Sequence, residues 1–148
     1  MKALLLHCKN YRIEIGQLAN RPANVHPEPV TETAQSETNC VVALITVESG
    51  DTVESTVRVV DDIKKMAQDV GHNNIVILPF AHLSSNLADS ETSVPILENI
   101  KSKLSDEFNV KRGHFGSHKE YLLEGFGHPG NTLGFENINL WWRDVVAL

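Results

Sequence analysis

The 148-residue chain predicts an α/β fold: a mixed β-sheet with helices mainly on one face. Three observations carry that prediction. The runs Lys2-Ala-Leu-Leu-Leu-His-Cys8, Val41-Val-Ala-Leu-Ile-Thr-Val47 and Asn74-Ile-Val-Ile-Leu78 are short and apolar, and the last two are rich in β-branched residues, as buried strands are. Between the second and third runs, Val53, Val57, Val60, Ile63, Ala67 and Val70 recur at three- and four-residue steps, the period of a helix with one buried face. Strand, helix and strand in that order make a parallel, right-handed unit.

Taken along the chain, the first run is a buried strand, and Tyr11-Arg-Ile-Glu-Ile-Gly-Gln17 alternates apolar with polar residues like a half-buried one. The short polar link between them predicts a hairpin. Residues 20–39, rich in Pro, Thr, Asn and Glu, read as a long loop. The first helix starts at Asp51 or Thr52 as cap, with Glu54 three residues after Asp51 to complete a capping box, and Gly71 ends it. Pro79 stops the strand that follows. A second helix is predicted over residues 92–108, with Thr92 as cap, Pro95 in the first turn, and Ile96, Leu97, Ile100 and Leu104 on its buried side. Residues 110–115 and 119–126 then read as two antiparallel strands, closed by Gly127-His-Pro-Gly130. The expected domain is 1–130. Residues 131–148, with Trp141-Trp142, are expected to be a helix packed on the domain or a connection toward another one.

With 41% hydrophobic and 22% charged residues, the composition is that of a soluble globular protein. No apolar run is long enough to cross a bilayer, and Lys2 is followed by only four apolar residues before His7, so neither membrane nor signal peptide is expected. The reading is cytoplasmic, with Cys8 and Cys40 as free thiols. A net charge of −6 argues against gripping a nucleic-acid duplex. Lys101, Lys103, Lys111, Arg112 and Lys119 nevertheless share one stretch with His114 and His118. That stretch is either a local basic mouth for one end of an RNA or an ordinary solvated surface.

Familiar carriers of chemistry are missing. There is no phosphate-binding Gly-x-x-x-x-Gly-Lys loop and no Gly-x-Ser-x-Gly elbow. His114 and His118 on a strand would stand about 13 Å apart, too far for one zinc, so no metal or cofactor is expected. Two segments remain. His82 lies just past a strand's carboxyl end, where open α/β sheets dock ligands, and is followed by serines able to cap a short helix. It is either a structural turn histidine or a titratable group beside free N–H donors. Lys119 follows Gly113 and Gly116, whose backbone can approach a ligand closely. It is either a solvated edge-strand lysine or a cation that holds a carbonyl oxygen, a phosphate or a water. A lysine of ordinary pKa cannot serve as a general base at neutral pH.

The two segments occur together in one known family. Pro79-Phe-Ala-His-Leu-Ser-Ser85, Phe115-Gly116 with Lys119 downstream, and Gly127-His-Pro129 resemble the motifs of the editing domain of archaeal-type threonyl-tRNA synthetases. The opening Lys2-Ala-Leu-Leu-Leu-His7 and the strand Val42-Ala-Leu-Ile-Thr-Val47 are similar too. The resemblance implies a fold like that of D-aminoacyl-tRNA deacylases, and hydrolysis of serine wrongly joined to the threonine tRNA, in cis or in trans. It implies the 3′ end of aminoacyl-tRNA(Thr) as partner, an aminoacylation domain as a further one, and help from the 2′-hydroxyl of the terminal adenosine. Lys119 would position substrate or water and stabilise negative charge, with His82 orienting the water. Pro79, Phe80, Ala81, Phe115, Gly116, His118 and Val47 would line the pocket. Two departures stand out: His118 replaces a frequent tyrosine, and Thr132 a frequent glutamate, whose task would fall to Thr132, Glu136 or no side chain. Alternatives are a D-aminoacyl-tRNA deacylase, or a non-catalytic module binding the tRNA acceptor end. A homodimer is expected from the pairing of sheet edges.

Overall fold

The computed structural model describes residues 1–136, in which six strands form one mixed sheet against two helices. The elements are β1 (Lys2–Leu18), β2 (Ala34–Thr46), α1 (Thr56–Val70), β3 (Asn74–Pro79), α2 (Ser90–Ser105), β4 (Asn109–Arg112), β5 (Ser117–Gly125) and β6 (Thr132–Glu136). The strand order is β4-β3-β2-β1-β5, and β6 also pairs with β1, along its first residues. The β2–β3 and β3–β4 pairs are parallel, while β1 is antiparallel to each of its neighbours.

Both faces of the central strands are buried, which is why they read as continuous apolar runs. On one face Val41, Ala43, Ile45, Ile75 and Ile77 pack against α1 and α2, the helices contributing Val59, Ile63, Leu97 and Ile100 among others. Ile63 and Ile100 are fully buried, and each such side chain contributes about 1.5–3 kcal/mol by leaving water. Among the described residues the opposite cluster, including Val42, Leu44, Val76, Leu78, Tyr11 and Ile13, contains no helix residue. The expected fold class, with helices on one face, is the one observed. Cys8 and Cys40 oppose each other across β1 and β2 as free, buried thiols, and burial first and the Cys8 sulfur second push the Cys40 thiol up to about 12.

Several local expectations are corrected. The hairpin at residues 2–17 is one continuous strand. Asn10 stays in register with Thr38 on one side and Glu124 on the other, so the chain does not reverse at Lys9-Asn10. The register against β5 shifts at Cys8/Asn10, so the polar link is a bulge rather than a turn. Nor does the loop of residues 20–39 run its full length. Residues 34–39 extend β2, held by backbone pairing to β1 rather than by apolar burial, and the Tyr11 hydroxyl donates to Gln35 Oε1 at 2.8 Å.

Both helix starts also differ. Asp51 accepts the Glu48 N–H at 2.8 Å instead of capping, while Thr52, the other expected cap, is the N-cap of a single 3-10 turn over Val53–Ser55 that leads into α1, with Ser55 rather than Glu54 completing its capping box. Gly71 is the C-cap as expected, at φ +72°. For α2 the cap is Asp89, whose carboxylate accepts the Thr92 N–H at 2.8 Å. The predicted antiparallel pair at 110–126 is absent. β4 adds in parallel to β3, where Val110 reaches the helix-side core, and β5 pairs with the long edge of β1. Residues 132–136, beyond the boundary expected at 130, form β6, whose Phe135 is buried in the same core. Trp141-Trp142 lies outside the described residues.

Candidate functional site

A cavity of about 770 Å3 opens at the carboxyl ends of β2 and β3, the place where ligands dock in open α/β sheets. Every predicted site residue lines it: Val47 from the end of β2; Pro79, Phe80, Ala81 and His82 from the end of β3; and Phe115, Gly116, His118 and Lys119 from the far wall. Segments remote in sequence meet here because β2 and β3 are parallel neighbours and β5 returns along β1.

The β3 wall is held by its backbone. The Phe80 N–H donates to the Ile45 carbonyl at 2.9 Å, and the Thr46 hydroxyl donates to the Phe80 carbonyl. Pro79 ends the strand, and the chain turns through residues 81–83 without forming the short helix expected there. Ser84 tightens that turn instead of capping a helix: its hydroxyl donates to Glu48 Oε2 at 2.6 Å and accepts the Asn86 N–H at 3.0 Å. His82 is exposed on the rim, its ring edge-on to Phe80 with centroids 5.2 Å apart.

The opposite wall depends on a glycine. Gly116 has φ +88°, and a Cβ there would lie 2.6 Å from Pro27 Cα, so no larger residue fits without moving backbone. Its carbonyl accepts the Ala19 N–H at 2.8 Å, which ties down the segment whose Ala19, Arg21, Pro22 and Val25 complete the lining. Glu28, near the end of that segment, accepts from the guanidinium of Arg112 through both carboxylate oxygens, each at 2.7 Å, and from the Phe115 N–H at 2.7 Å. His114 Nε2 donates to the Glu28 carbonyl at 2.8 Å, since a carbonyl only accepts. Its Nδ1 then accepts the Ser117 hydroxyl at 2.9 Å, so both ring nitrogens are engaged within the wall.

Lys119 stands on β5 opposite Ile15 and donates to the Ser117 carbonyl at 3.1 Å. That is one bond for an ammonium with three donors. Burial, helped by the nearby Arg112 charge and opposed by Glu28, lowers its pKa from 10.5 to about 8. At neutral pH it is therefore mostly charged but poorly solvated, the state in which a cation binds a developing oxyanion most strongly. Among the described residues no group of three or more His, Cys, Asp or Glu side chains is disposed to hold a metal ion.

Sequence reasoning missed several residues here. Tyr121 and Leu123 line the cavity with Lys119 at two-residue steps, a strand periodicity that was available to be read. Glu28 carried no local signal, and Arg112, read only as part of a basic stretch, gave no hint of it, because their pairing is long-range in sequence. Of the alternatives for the missing glutamate's task, neither Thr132 nor Glu136 lines the cavity. Thr132 pairs with Leu6 and Glu136 with Lys2, both away from the cavity lining, whereas Glu28 is the acid that acts on Lys119. His128 of the Gly-His-Pro sequence also lies elsewhere, bonded to His7 at 2.7 Å.

Fold and site together define an α/β domain with a ligand cavity at its strand ends and a desolvated cation in one wall. The profile of the archaea-specific editing domain of threonyl-tRNA synthetase matches residues 1–134, and the chain belongs to that family. It is similar to the threonine–tRNA ligase editing subunit of Saccharolobus solfataricus, 33% identical over 133 residues that cover 90% of this chain and 33% of that protein. The threonine–tRNA ligase of Methanocaldococcus jannaschii is 36% identical over 138 residues, covering 90% of this chain and 21% of that one. For the Thermococcus onnurineus ligase the figures are 34% over 135 residues, 87% and 21%. The chain thus spans about a third of the editing subunit and about a fifth of the ligases. Among solved structures, one titled c-Myc DNA unwinding element binding protein aligns over 94% of this chain and 100% of its own, with a TM-score of 0.62. At 13% identity that likeness is one of fold.

Proposed function

We propose that this domain hydrolyses L-seryl-tRNA(Thr), correcting threonine tRNA charged with the wrong amino acid. The observation that carries the reading is the meeting of the His82 and Lys119 segments on one cavity. Water attacks the ester carbonyl, the tetrahedral carbon bears an oxyanion, and the ribose oxygen leaves with the proton that water gives up. Lys119, charged and poorly solvated, stabilises the oxyanion or holds the water, and His82 orients the water from the rim. The apolar walls at Phe80, Ala81 and Phe115 exclude bulk water and hold the terminal adenosine.

Discrimination against threonine must come from shape. Serine lacks one methyl of threonine, a difference worth only about 1–3 kcal/mol in a single binding step, so a second, hydrolytic sieve that rejects the larger side chain is needed. The reaction takes place in the cytoplasm, with the acceptor end of tRNA(Thr) as partner, beside an aminoacylation domain in cis or in trans. The outer edge of β5, where Tyr121 and Leu122 are exposed, supports pairing of two copies.

The test is release of serine from L-seryl-tRNA(Thr), with L-threonyl-tRNA(Thr) and D-seryl-tRNA(Thr) in parallel. Fast release from the first with the other two spared is expected. Release from the D-ester alone, or tight binding of a non-hydrolysable seryl-adenosine without turnover, would overturn it.

A further inference from the structure

We infer that Glu28 is a positioning residue for this reaction: it clamps the Phe115–Gly116 wall of the cavity and balances the charge of Arg112 beside Lys119. The inference rests on the proposed function for its catalytic part only. Glu28 lies in a Pro- and Thr-rich connection between β1 and β2, whose side chains could all be satisfied by water. Instead it engages three residues of the segment that leads to Lys119. Its carboxylate forks onto the Arg112 guanidinium and accepts the Phe115 N–H, its own N–H donates to the Phe115 carbonyl at 3.2 Å, and its carbonyl accepts from His114. Phe115 is thus held through both of its backbone polar groups by one residue.

The electrostatic half of the role follows from what surrounds Lys119. The ionisable groups lining the cavity with Lys119 are Arg21 from the β1–β2 connection, His82 after β3, and His118 and Tyr121 from β5; behind the wall stand Arg112 and His114 from the β4–β5 segment, Glu98 from α2, and Glu28 itself. The side chain of Arg112 is only 10% exposed, so its charge is poorly screened, and it pushes Lys119 toward the neutral form. Glu28 pulls the other way. Glu98 accepts from the Arg112 Nε at 2.6 Å but is half exposed, so its charge is better screened than that of Glu28. Without the Glu28 charge, the Arg112 fork faces no anion, Lys119 holds its proton less firmly, and the wall loses its anchor.

Two variants separate clamp from charge. In Glu28→Gln the fork faces an amide, so the charge is lost with little change of size. In Glu28→Asp the charge stays, but one methylene less prevents the carboxylate from reaching Arg112 and Phe115 together. The first readout uses no substrate: NMR titration of Lys119 Cε and of the Phe115 and Gly116 amides in the intact chain. Glu28→Gln is expected to lower the Lys119 titration midpoint, and Glu28→Asp to keep it near wild type while shifting the two amides. The second is the pH profile of seryl-tRNA deacylation. Glu28→Gln should cost about tenfold or more in kcat/KM at neutral pH and move the alkaline limb downward, with partial rescue by Glu28→Asp. An unmoved Lys119 midpoint together with unmoved wall amides in a folded Glu28→Gln protein would overturn the inference, whatever substrate the cavity takes. Failure of wild type to release serine, with the titration shift intact, would instead count against the proposed function alone.

Discussion

Two clusters of ionisable side chains lie along β1, and they use their polar atoms in opposite ways. Near its later residues, Lys119 faces the cavity with one of three donors engaged, while Glu28 and Arg112 satisfy each other behind it. Near its earlier residues, His7 bridges His128 and His72 at 2.7 and 2.8 Å and stacks on Phe126, its ring centroid 4.3 Å away. The direction of that second chain is set at one end. His128 Nδ1 donates to the Pro129 carbonyl at 2.8 Å, so its Nε2 accepts from His7 Nδ1, and His7 Nε2 accepts from His72 Nδ1. Each of these contacts uses a proton or a lone pair, and none of the three rings lines the cavity. A shifted pKa alone therefore does not mark a binding site in this molecule: His7 and Lys119 are both lowered by burial first, but only Lys119 keeps donors for something else.

The largest expected effect separates the two clusters directly. Lys119→Met should lower kcat/KM for seryl-tRNA by about 100- to 1000-fold, the cost of removing one preorganised charge stabiliser. The same change should raise the melting temperature. The folded-state pKa of about 8 lies below the ordinary 10.5, so the stability present above pH 10.5 is lost as pH falls through 8, and Met removes that loss. Wild-type activity, corrected for spontaneous ester hydrolysis, should decline above pH 8 as the ammonium deprotonates. A fully active Lys119→Met enzyme would remove Lys119 from the chemistry.

Gly116→Ala comes next and acts through backbone. A residue with a Cβ at φ +88° is strained, and the 2.6 Å approach to Pro27 Cα forces one of two backbones to move. A loss of about 2 kcal/mol or more in urea unfolding is expected, with deacylation impaired because Phe115 shifts too. Unchanged stability and rate would mean that the wall is softer than its hydrogen bonds imply.

At the other cluster, His7→Leu should cost about 1–2 kcal/mol of stability by leaving His72 and His128 without their shared partner, with kcat/KM unchanged. Its pH signature is distinct. Since the folded pKa of His7 lies below 6.5, its contribution is present above pH 6.5 and is lost as pH falls through the folded value. Denaturation curves between pH 7 and 5 should be less steep in pH for the variant than for wild type. A large loss of activity in His7→Leu at full folding would break the contrast between the two ends of β1.

The two segments of the candidate site were more legible than the path of the chain between them. The residues at 79–82 and 115–119 could be named because their motif is local and their chemistry sits in consecutive positions. Glu28 could not, because its meaning depends on Arg112, which only the tertiary fold brings near. In the fold, apolar runs and the periodicity of α1 marked the elements that bury side chains. The first residues of β2 and the bulge at Lys9-Asn10 escaped, since a strand held mainly by backbone pairing leaves little trace in side-chain pattern. Caps shifted for a different reason: Asp51, Thr52, Asp89 and Thr92 are all competent caps, and Asp51 is drawn off by the Glu48 N–H and the Met1 ammonium while Asp89 takes the Thr92 N–H.

The smallest effect expected concerns Thr132, which motif comparison singles out and geometry does not. Its hydroxyl donates to Asn131 Oδ1 at 3.1 Å, its side chain is exposed, and its register partner is Leu6, on the His7 side of β1 rather than beside Lys119. Exposed positions of that kind change stability by about 0.5 kcal/mol or less when substituted. Thr132→Ala should therefore leave kcat/KM within about twofold of wild type and the alkaline limb in place. If it slowed deacylation as Glu28→Gln is expected to, the position of Thr132 on β6 would contribute to the reaction after all. The His7 end of β1 would then have to be counted as part of the catalytic site.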